Sequence, residues 1–276
     1  MRSLILAAVL AAFPILVQAD DTGLVEMRTG DDTRGWEAVG RLNLGASGFC
    51  TGALIRDNVV LTAAHCLYDD AGNVIDPGTI EFRPGWRNGF ASAFRKAKRT
   101  LAHPDYSYKA TGLRGARVSH DLALIELSQP IRNTQVIPFD LGQKPLKGAD
   151  VGVVSYAKDR AEAPSIQETR SVLARRFATL VLSCDVDFGA SGAPIFSFEN
   201  GTARIVSVVS AKAEMQGRKV SLGMAVDGPM DDLMARFDDG EGTVAGARPS
   251  ATRLLMSGER RDTGAKFLSP NKCSAR

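Results

Sequence analysis

The sequence predicts an all-β chain, on three observations. Runs of strand length, rich in Val, Ile, Leu and Phe, recur from end to end. Residues that reverse a chain separate them. Their length and spacing also suggest an all-β chain rather than βαβ units. In order, the runs are EAVGRLNL (37–44), NVVLTAA (58–64), GTIEF (78–82), LALIEL (122–127), VGVVSYA (151–157), LVLS (180–183), APIFSF (193–198) and ARIVSVVS (203–210). Between them DDAGN (69–73), RPGWRNG (83–89), GQKPLKG (142–148) and ENG (199–201) supply Gly, Asn, Asp or Pro at the reversals.

One stretch, SIQETRSVLARRFATLVL (165–182), holds enough helix formers to be helical on propensity alone. It is taken as strand. A helix is expected in GPMDDLMARF (228–237), where Pro229 suits a first turn and Met230, Leu233, Met234 and Phe237 share one face. From 240 to 276 the pattern loosens, with seven basic residues against three acidic after Gly240, and the segment reads as a solvated tail.

A chain of 276 residues can bury a substantial core in one large domain or two small ones. Its 44% apolar and 24% charged content is ordinary for a folded protein. The opening MRSLILAAVLAAFPILVQA has one basic residue, an apolar stretch from Leu4 to Val17 and small residues at Val17 and Ala19, so residues 1–19 read as a cleaved export signal. Fourteen apolar residues interrupted by Pro14 are short for a membrane span. The formal charge of +3 falls to +2 without that segment, because Arg2 is its single charged residue. Such a balance gives no reason to expect nucleic acid as a partner. A secreted or periplasmic chain meets oxidising conditions, so Cys50, Cys66, Cys184 and Cys273 read as two disulfides, with three pairings open.

Three motifs carry candidate chemistry. His65 ends the run VLTAAHC, where small alanines leave the imidazole room, and histidine is the side chain best suited to exchange protons near neutrality. Asp121 leads into an apolar strand in SHDLALIEL, where a carboxylate needs a partner to offset its desolvation. Ser191 lies in DFGASGAP, where Gly189 and Gly192 allow a sharp turn whose backbone N–H groups could hold an oxyanion. The stretch is not the G-x-S-x-G elbow of α/β hydrolases, since Ala193 stands at the last glycine position.

In their order His, Asp, Ser, these motifs resemble the trypsin/chymotrypsin family of serine proteases, over about Trp36 to Phe237. LTAAHC is similar to that family's histidine motif, SHDLALIEL to its aspartate motif and GASGAP to its serine motif. GFCTGALI resembles the strand that carries the first half-cystine, AHPDY a loop after the histidine, and the helix ending at Phe237 the terminal helix. The resemblance implies two six-stranded antiparallel β-barrels with a C-terminal helix, dividing near FDLGQKPLKGAD (139–150). The expected organisation is signal 1–19, N-terminal segment or short propeptide 20–35, first barrel 36–143, second barrel with helix 144–239, and tail 240–276. Ser191 is then the nucleophile, His65 the general base and acid, Asp121 its orienting partner, and the N–H groups of Gly189 and Ser191 the oxyanion hole. Cys50 and Cys66 match the family's bridge beside the histidine, which leaves Cys184 and Cys273 as the remaining pair.

The chain departs from the family's digestive and clotting members in one coherent respect. Ala190 stands where they carry the aspartate that receives a new amino terminus. The matching Ile-Val-Gly-Gly segment is absent too, its place taken by DDTRGWEAVGRL (31–42). Both halves of one ion pair are missing together, which implies that other contacts hold the oxyanion loop, as in the bacterial glutamyl-endopeptidase-like (V8-like) branch. Asp185, six residues before Ser191, occupies the position of the specificity aspartate of a basic-specific member; Ser207, Ser210 and Gly223 are expected on the strands that border the pocket. Neither CxxC nor EF-hand spacing occurs, and YDDAGNVIDPGTIE (68–81) reads as a polar hairpin, so no metal or other cofactor is expected. The expected protein is a monomeric, exported serine endopeptidase acting on protein or peptide substrates, with no nucleic-acid or membrane partner. A catalytically silent binding protein of the same fold is the alternative.

Overall fold

Alternation of side chains across a pleated strand places Leu42 and Leu44 inward with Arg41 and Asn43 partly exposed, and the same two-residue period recurs over Ile80–Pro84 and Thr179–Leu182. The structure, a computed structural model, describes residues 24–108, 118, 120–184 and 186–246. Along the chain lie β1 (Leu24–Glu26), β2 (Val39–Leu44), β3 (Phe49–Arg56), β4 (Val59–Thr62), β5 (Ile80–Pro84), β6 (Arg95–Ala102) and β7 (Ala123–Leu127). There follow β8 (Asp150–Ala157), β9 (Arg160–Arg176), β10 (Thr179–Leu182), β11 (Pro194–Glu199), β12 (Thr202–Met215), β13 (Arg218–Ala225), the helix α1 (Pro229–Asp238) and β14 (Thr243–Val244).

The strands form two closed antiparallel barrels. In the first the order is β6-β5-β2-β3-β4-β7, with β7 returning to β6; in the second it is β9-β10-β13-β12-β11-β8, with β8 returning to β9. Closure removes the open edges that would otherwise invite aggregation. A short strand lies against each barrel: β14 on β6, and β1 on β9 in the register Leu24↔Gln167. The segment ahead of Trp36 is therefore packed, with Met27 buried. Small barrels leave little room inside, and the paired Gly40 and Gly52 show where: a Cβ on Gly40 would stand 2.5 Å from the Phe82 ring, and one on Gly52 would stand 2.8 Å from Val60.

Stretch 165–182 is strand, as expected, broken by a turn at Phe177, whose φ is +51°. Helix α1 opens on Pro229 behind Gly228, carries Asp231 and Asp232 in its first turn and Arg236 in its last, and buries Met230, Leu233 and Phe237. Arg99 of β6 anchors it, lying 4.1 Å from the centre of the Phe237 ring, donating to the Phe237 carbonyl at 3.0 Å and pairing with Glu126 at 2.8 Å.

Cys50 and Cys66 are bridged, closing a span of 16 residues beside His65, which is worth roughly 3 kcal/mol in the chain-entropy account. The partner expected for Cys184, Cys273, lies outside the described residues. Cys184 is a free thiol with no exposed surface, packed among Val172, Leu182 and Ala193, and burial pushes it up to about 12, so it behaves as a small apolar side chain. Residues 1–19, expected to be an export signal, and nearly all of the basic tail lie outside them too.

Candidate active site

Strand β4 ends in buried Ala63 and Ala64, and the chain tightens there into a single 3-10 turn, Ala64–Leu67, that lifts His65 out of the sheet. Asp121, immediately before β7, is buried and meets His65 twice. Its Oδ1 accepts the His65 backbone N–H at 2.8 Å, and its Oδ2 lies 2.7 Å from Nδ1. An ionised carboxylate can only accept, so Nδ1 carries the proton and Nε2 is left as the basic nitrogen. A third donor reaches the same carboxylate: the Ser210 hydroxyl bonds to Oδ2.

Ser210 reaches that far because of a fault in the sheet. Along β12 and β13 the register runs Val209↔Gly223 and then Ala211↔Leu222, so Ser210 is the extra residue of a bulge, and a bulge re-aims its side chain. Sequence reasoning placed Ser210 on the pocket border without this role, since a bulge depends on the partner strand and leaves no mark in one strand's pattern.

Ser191 sits between Gly189 (φ +94°) and Gly192 (φ +77°), conformations that glycine adopts without strain. Space also demands these glycines. A Cβ on Gly189 would stand 2.4 Å from the Phe49 ring, and one on Gly192 would stand 2.1 Å from Thr62 Oγ1. Along this loop the N–H groups alternate in use: Ala190 donates to the Asp187 carbonyl and Gly192 to the Val209 carbonyl, while those of Gly189 and Ser191 donate to no acceptor among the described residues. Two such donors one residue apart suit a developing oxyanion. Ala190 itself is fully buried against Val186, Ala193 and Ile195, filling apolar space. Ser191 and His65 are not hydrogen-bonded to each other here, and contacts of this kind commonly tighten only when substrate is in place.

His65, Asp121 and Ser191 line one cleft of about 650 Å³. On its histidine side Tyr68 stacks on Tyr108 with ring centres 5.4 Å apart and lies 5.7 Å from Tyr106. On its serine side Lys158, Phe188 and Lys212 form the wall. Lys212 pairs with Asp187 at 2.6 Å, which holds the Asp187 carboxyl below its ordinary range, and stands 5.4 Å from the centre of the Phe188 ring. Neither lysine was singled out from sequence.

The remaining pocket candidates lie elsewhere. Ser207 and Gly223 face each other inside the second barrel, where the buried Ser207 hydroxyl donates to the Met224 carbonyl and a Cβ on Gly223 would come within 2.5 Å of it. Asp185 is outside the described residues. Cys50, His65 and Cys66 cluster closely enough to suggest a metal site, but both sulfurs are spent in the bridge and no thiolate is left to bind one.

The profile of the family described as Trypsin matches residues 28–226. Among curated relatives, a glutamyl endopeptidase of Bacillus licheniformis is 30% identical over 150 residues, 54% of this chain and 45% of that protein. A trypsin of Phaedon cochleariae is 32% identical over 105 residues, 37% of this chain and 36% of the relative. Trypsin Blo t 3 of Blomia tropicalis is 26% identical over 159 residues, 54% and 53% of the two chains. These matches thus span about half or less of the relatives' lengths. A solved structure of a Glu endopeptidase superposes with a TM-score of 0.66 at 20% identity, covering 80% of this chain and 98% of that one, and has the same fold.

Proposed function

From the premise that this chain belongs to the trypsin family, which the match over residues 28–226 establishes, we propose that it is a serine endopeptidase with His65, Asp121 and Ser191 as its triad. The two-point contact of Asp121 with His65, at 2.8 and 2.7 Å, is the observation that carries this reading. It fixes both the orientation and the tautomer of the imidazole. Ser191 Oγ attacks the scissile carbonyl as its proton passes to His65 Nε2, and the oxyanion is received by the N–H groups of Gly189 and Ser191. His65 then protonates the leaving amine, and in the second half it takes a proton from water to free the acyl group and restore Ser191. Asp121 stays ionised throughout, stabilising the imidazolium.

Substrates are proteins or peptides, since the cleft is open. The basic preference expected from Asp185 has no described contact behind it. On the serine side Lys212 is already paired with Asp187, and Lys158 is the lysine of the wall that favours an acidic side chain at the cleavage site; the name of the Bacillus licheniformis relative points the same way. Export to an oxidising compartment fits the Cys50–Cys66 bridge. Among the described residues no helix is long and apolar enough to cross a membrane. We take the working unit to be the monomer, because all the groups named come from one chain.

The test is labelling of the purified protein with a fluorophosphonate, which should modify wild type and leave Ser191→Ala unmarked. Absence of labelling in disulfide-intact protein would favour the silent binding protein instead. On peptides that differ at one residue, turnover should be greatest after Glu or Asp, and fastest turnover after Arg or Lys would return the pocket to Asp185.

A further inference from the structure

Gly189 has no side chain to hold its own peptide planes, and Ala190 has no charge with which to anchor the loop. Main-chain bonds from Lys158 to the Phe188 carbonyl at 2.7 Å and from Ala193 to the Ala190 carbonyl at 3.0 Å hold the planes that carry the two oxyanion donors, and the plane that joins them needs a hold of its own. We propose that the Thr51 hydroxyl is that positioning group, an inference that rests on the serine-endopeptidase reading.

Thr51 follows Cys50 in β3 of the first barrel and has no exposed surface. Its Oγ1 donates to the Gly189 carbonyl at 2.8 Å and accepts the Tyr156 N–H of β8 at 3.0 Å. Its own N–H donates to the Ser191 carbonyl at 2.8 Å, and its carbonyl is held by the Thr62 hydroxyl at 2.9 Å. One residue thus grips the carbonyls on both sides of Ala190. The peptide plane between Gly189 and Ala190 joins the planes that carry the N–H groups of Gly189 and Ser191. Its N–H end is held within the loop, by the Asp187 carbonyl at 2.9 Å; in a planar trans peptide the carbonyl points the opposite way, so the Thr51 hydroxyl holds the other end from the opposite barrel and fixes the plane at both. Removing the hydroxyl leaves two buried backbone groups without a partner, the Gly189 carbonyl and the Tyr156 N–H, and rotation of the loop is the route by which they recover one. Thr51 touches no substrate in this account; it acts through Gly189. The Thr at this point of GFCTGALI is the sole hydroxyl in an otherwise apolar run, which is the trace it leaves in the sequence.

Thr51→Val removes the hydroxyl at nearly constant shape, and Thr51→Ser keeps it. With active sites titrated by fluorophosphonate, Thr51→Val should lower kcat roughly 10- to 100-fold with KM within about twofold, a smaller loss than deleting a donor outright. Affinity for a peptide boronate, whose tetrahedral adduct fills the hole, should fall by the same factor, while Thr51→Ser recovers most of both. If Thr51→Val does not fold, Thr51→Ala is read by the same criteria. Wild-type-like kcat per titrated site in the hydroxyl-free variant, even with a lowered Tm, overturns the proposal, as does a Thr51→Ser protein as impaired as Thr51→Val. An unlabelled wild type would instead defeat the protease reading itself.

Discussion

Asp121 collects three donors on one buried carboxylate, and each has a different origin: the His65 main chain, the His65 ring and the Ser210 hydroxyl. The first two follow from the 3-10 turn, and the third from the bulge. Deleting the Ser210 hydroxyl should therefore loosen Asp121 without removing the base. Ser210→Ala is expected to lower kcat/KM about tenfold, the scale of one hydrogen bond to a charged group, and to leave fluorophosphonate labelling at Ser191 intact though slower. Kinetics indistinguishable from wild type would mean that the His65 contacts alone hold the carboxylate. At this scale His65, Asp121 and Ser191 were legible because their neighbours are unusual: alanines around a histidine, an acid ahead of an apolar run, glycines around a serine. Ser210, Lys158 and Lys212 were not, because their positions depend on what the strand beside them does.

Among the elements, apolar runs between turn signals were legible and a strand without one was not. Strand β6 reads RKAKRTLA, with four basic residues and only Ala97 and Thr100 fully buried, so nothing in its composition announces a strand at the closing seam of a barrel. Its charges serve instead to hold α1. Glu126 of β7 receives Lys98 at 2.6 Å and Arg99 at 2.8 Å, and Arg99 in turn reaches the helix end. Burial alone would raise the Glu126 carboxyl, but the two cations outweigh it and hold the group below its ordinary value of 4.5. A carboxyl depressed in the folded state contributes its full stabilisation above the unfolded value and loses it as pH falls through the folded one. Glu126→Gln should therefore cost about 1–3 kcal/mol at pH 7, and the gap from wild type should close as the pH is lowered below about 4. Urea titrations at the two pH values measure it, and an equal gap at both would assign the cost to packing and not to charge.

For the molecule as a whole, the question is whether two closed barrels unfold as one. Each has its own hydrogen-bonded ring, which argues for independence, but their side chains do not divide so cleanly. A single buried cluster runs from Leu42 and Phe82 in the first barrel to Tyr156 and Phe196 in the second. The loop that carries Ser191 is held from the opposite barrel by Thr51. Both tryptophans stand at this joint. Trp36 packs against Phe139 and Phe196 at 6.0 and 4.9 Å, while Trp86 donates to the Ala161 carbonyl at 3.1 Å and accepts the Tyr156 hydroxyl on its own carbonyl at 2.9 Å. Separating the barrels would expose this aromatic surface and orphan the buried Tyr156 hydroxyl, so partial unfolding forfeits much of what full folding gains. Tryptophan fluorescence, which reports the joint, and far-UV circular dichroism, which reports the barrels, should therefore change at the same Tm. A fluorescence transition well below the loss of β signal would show that the barrels part first, and with them the halves of the proposed site, leaving His65 and Asp121 on one body and Ser191 on the other.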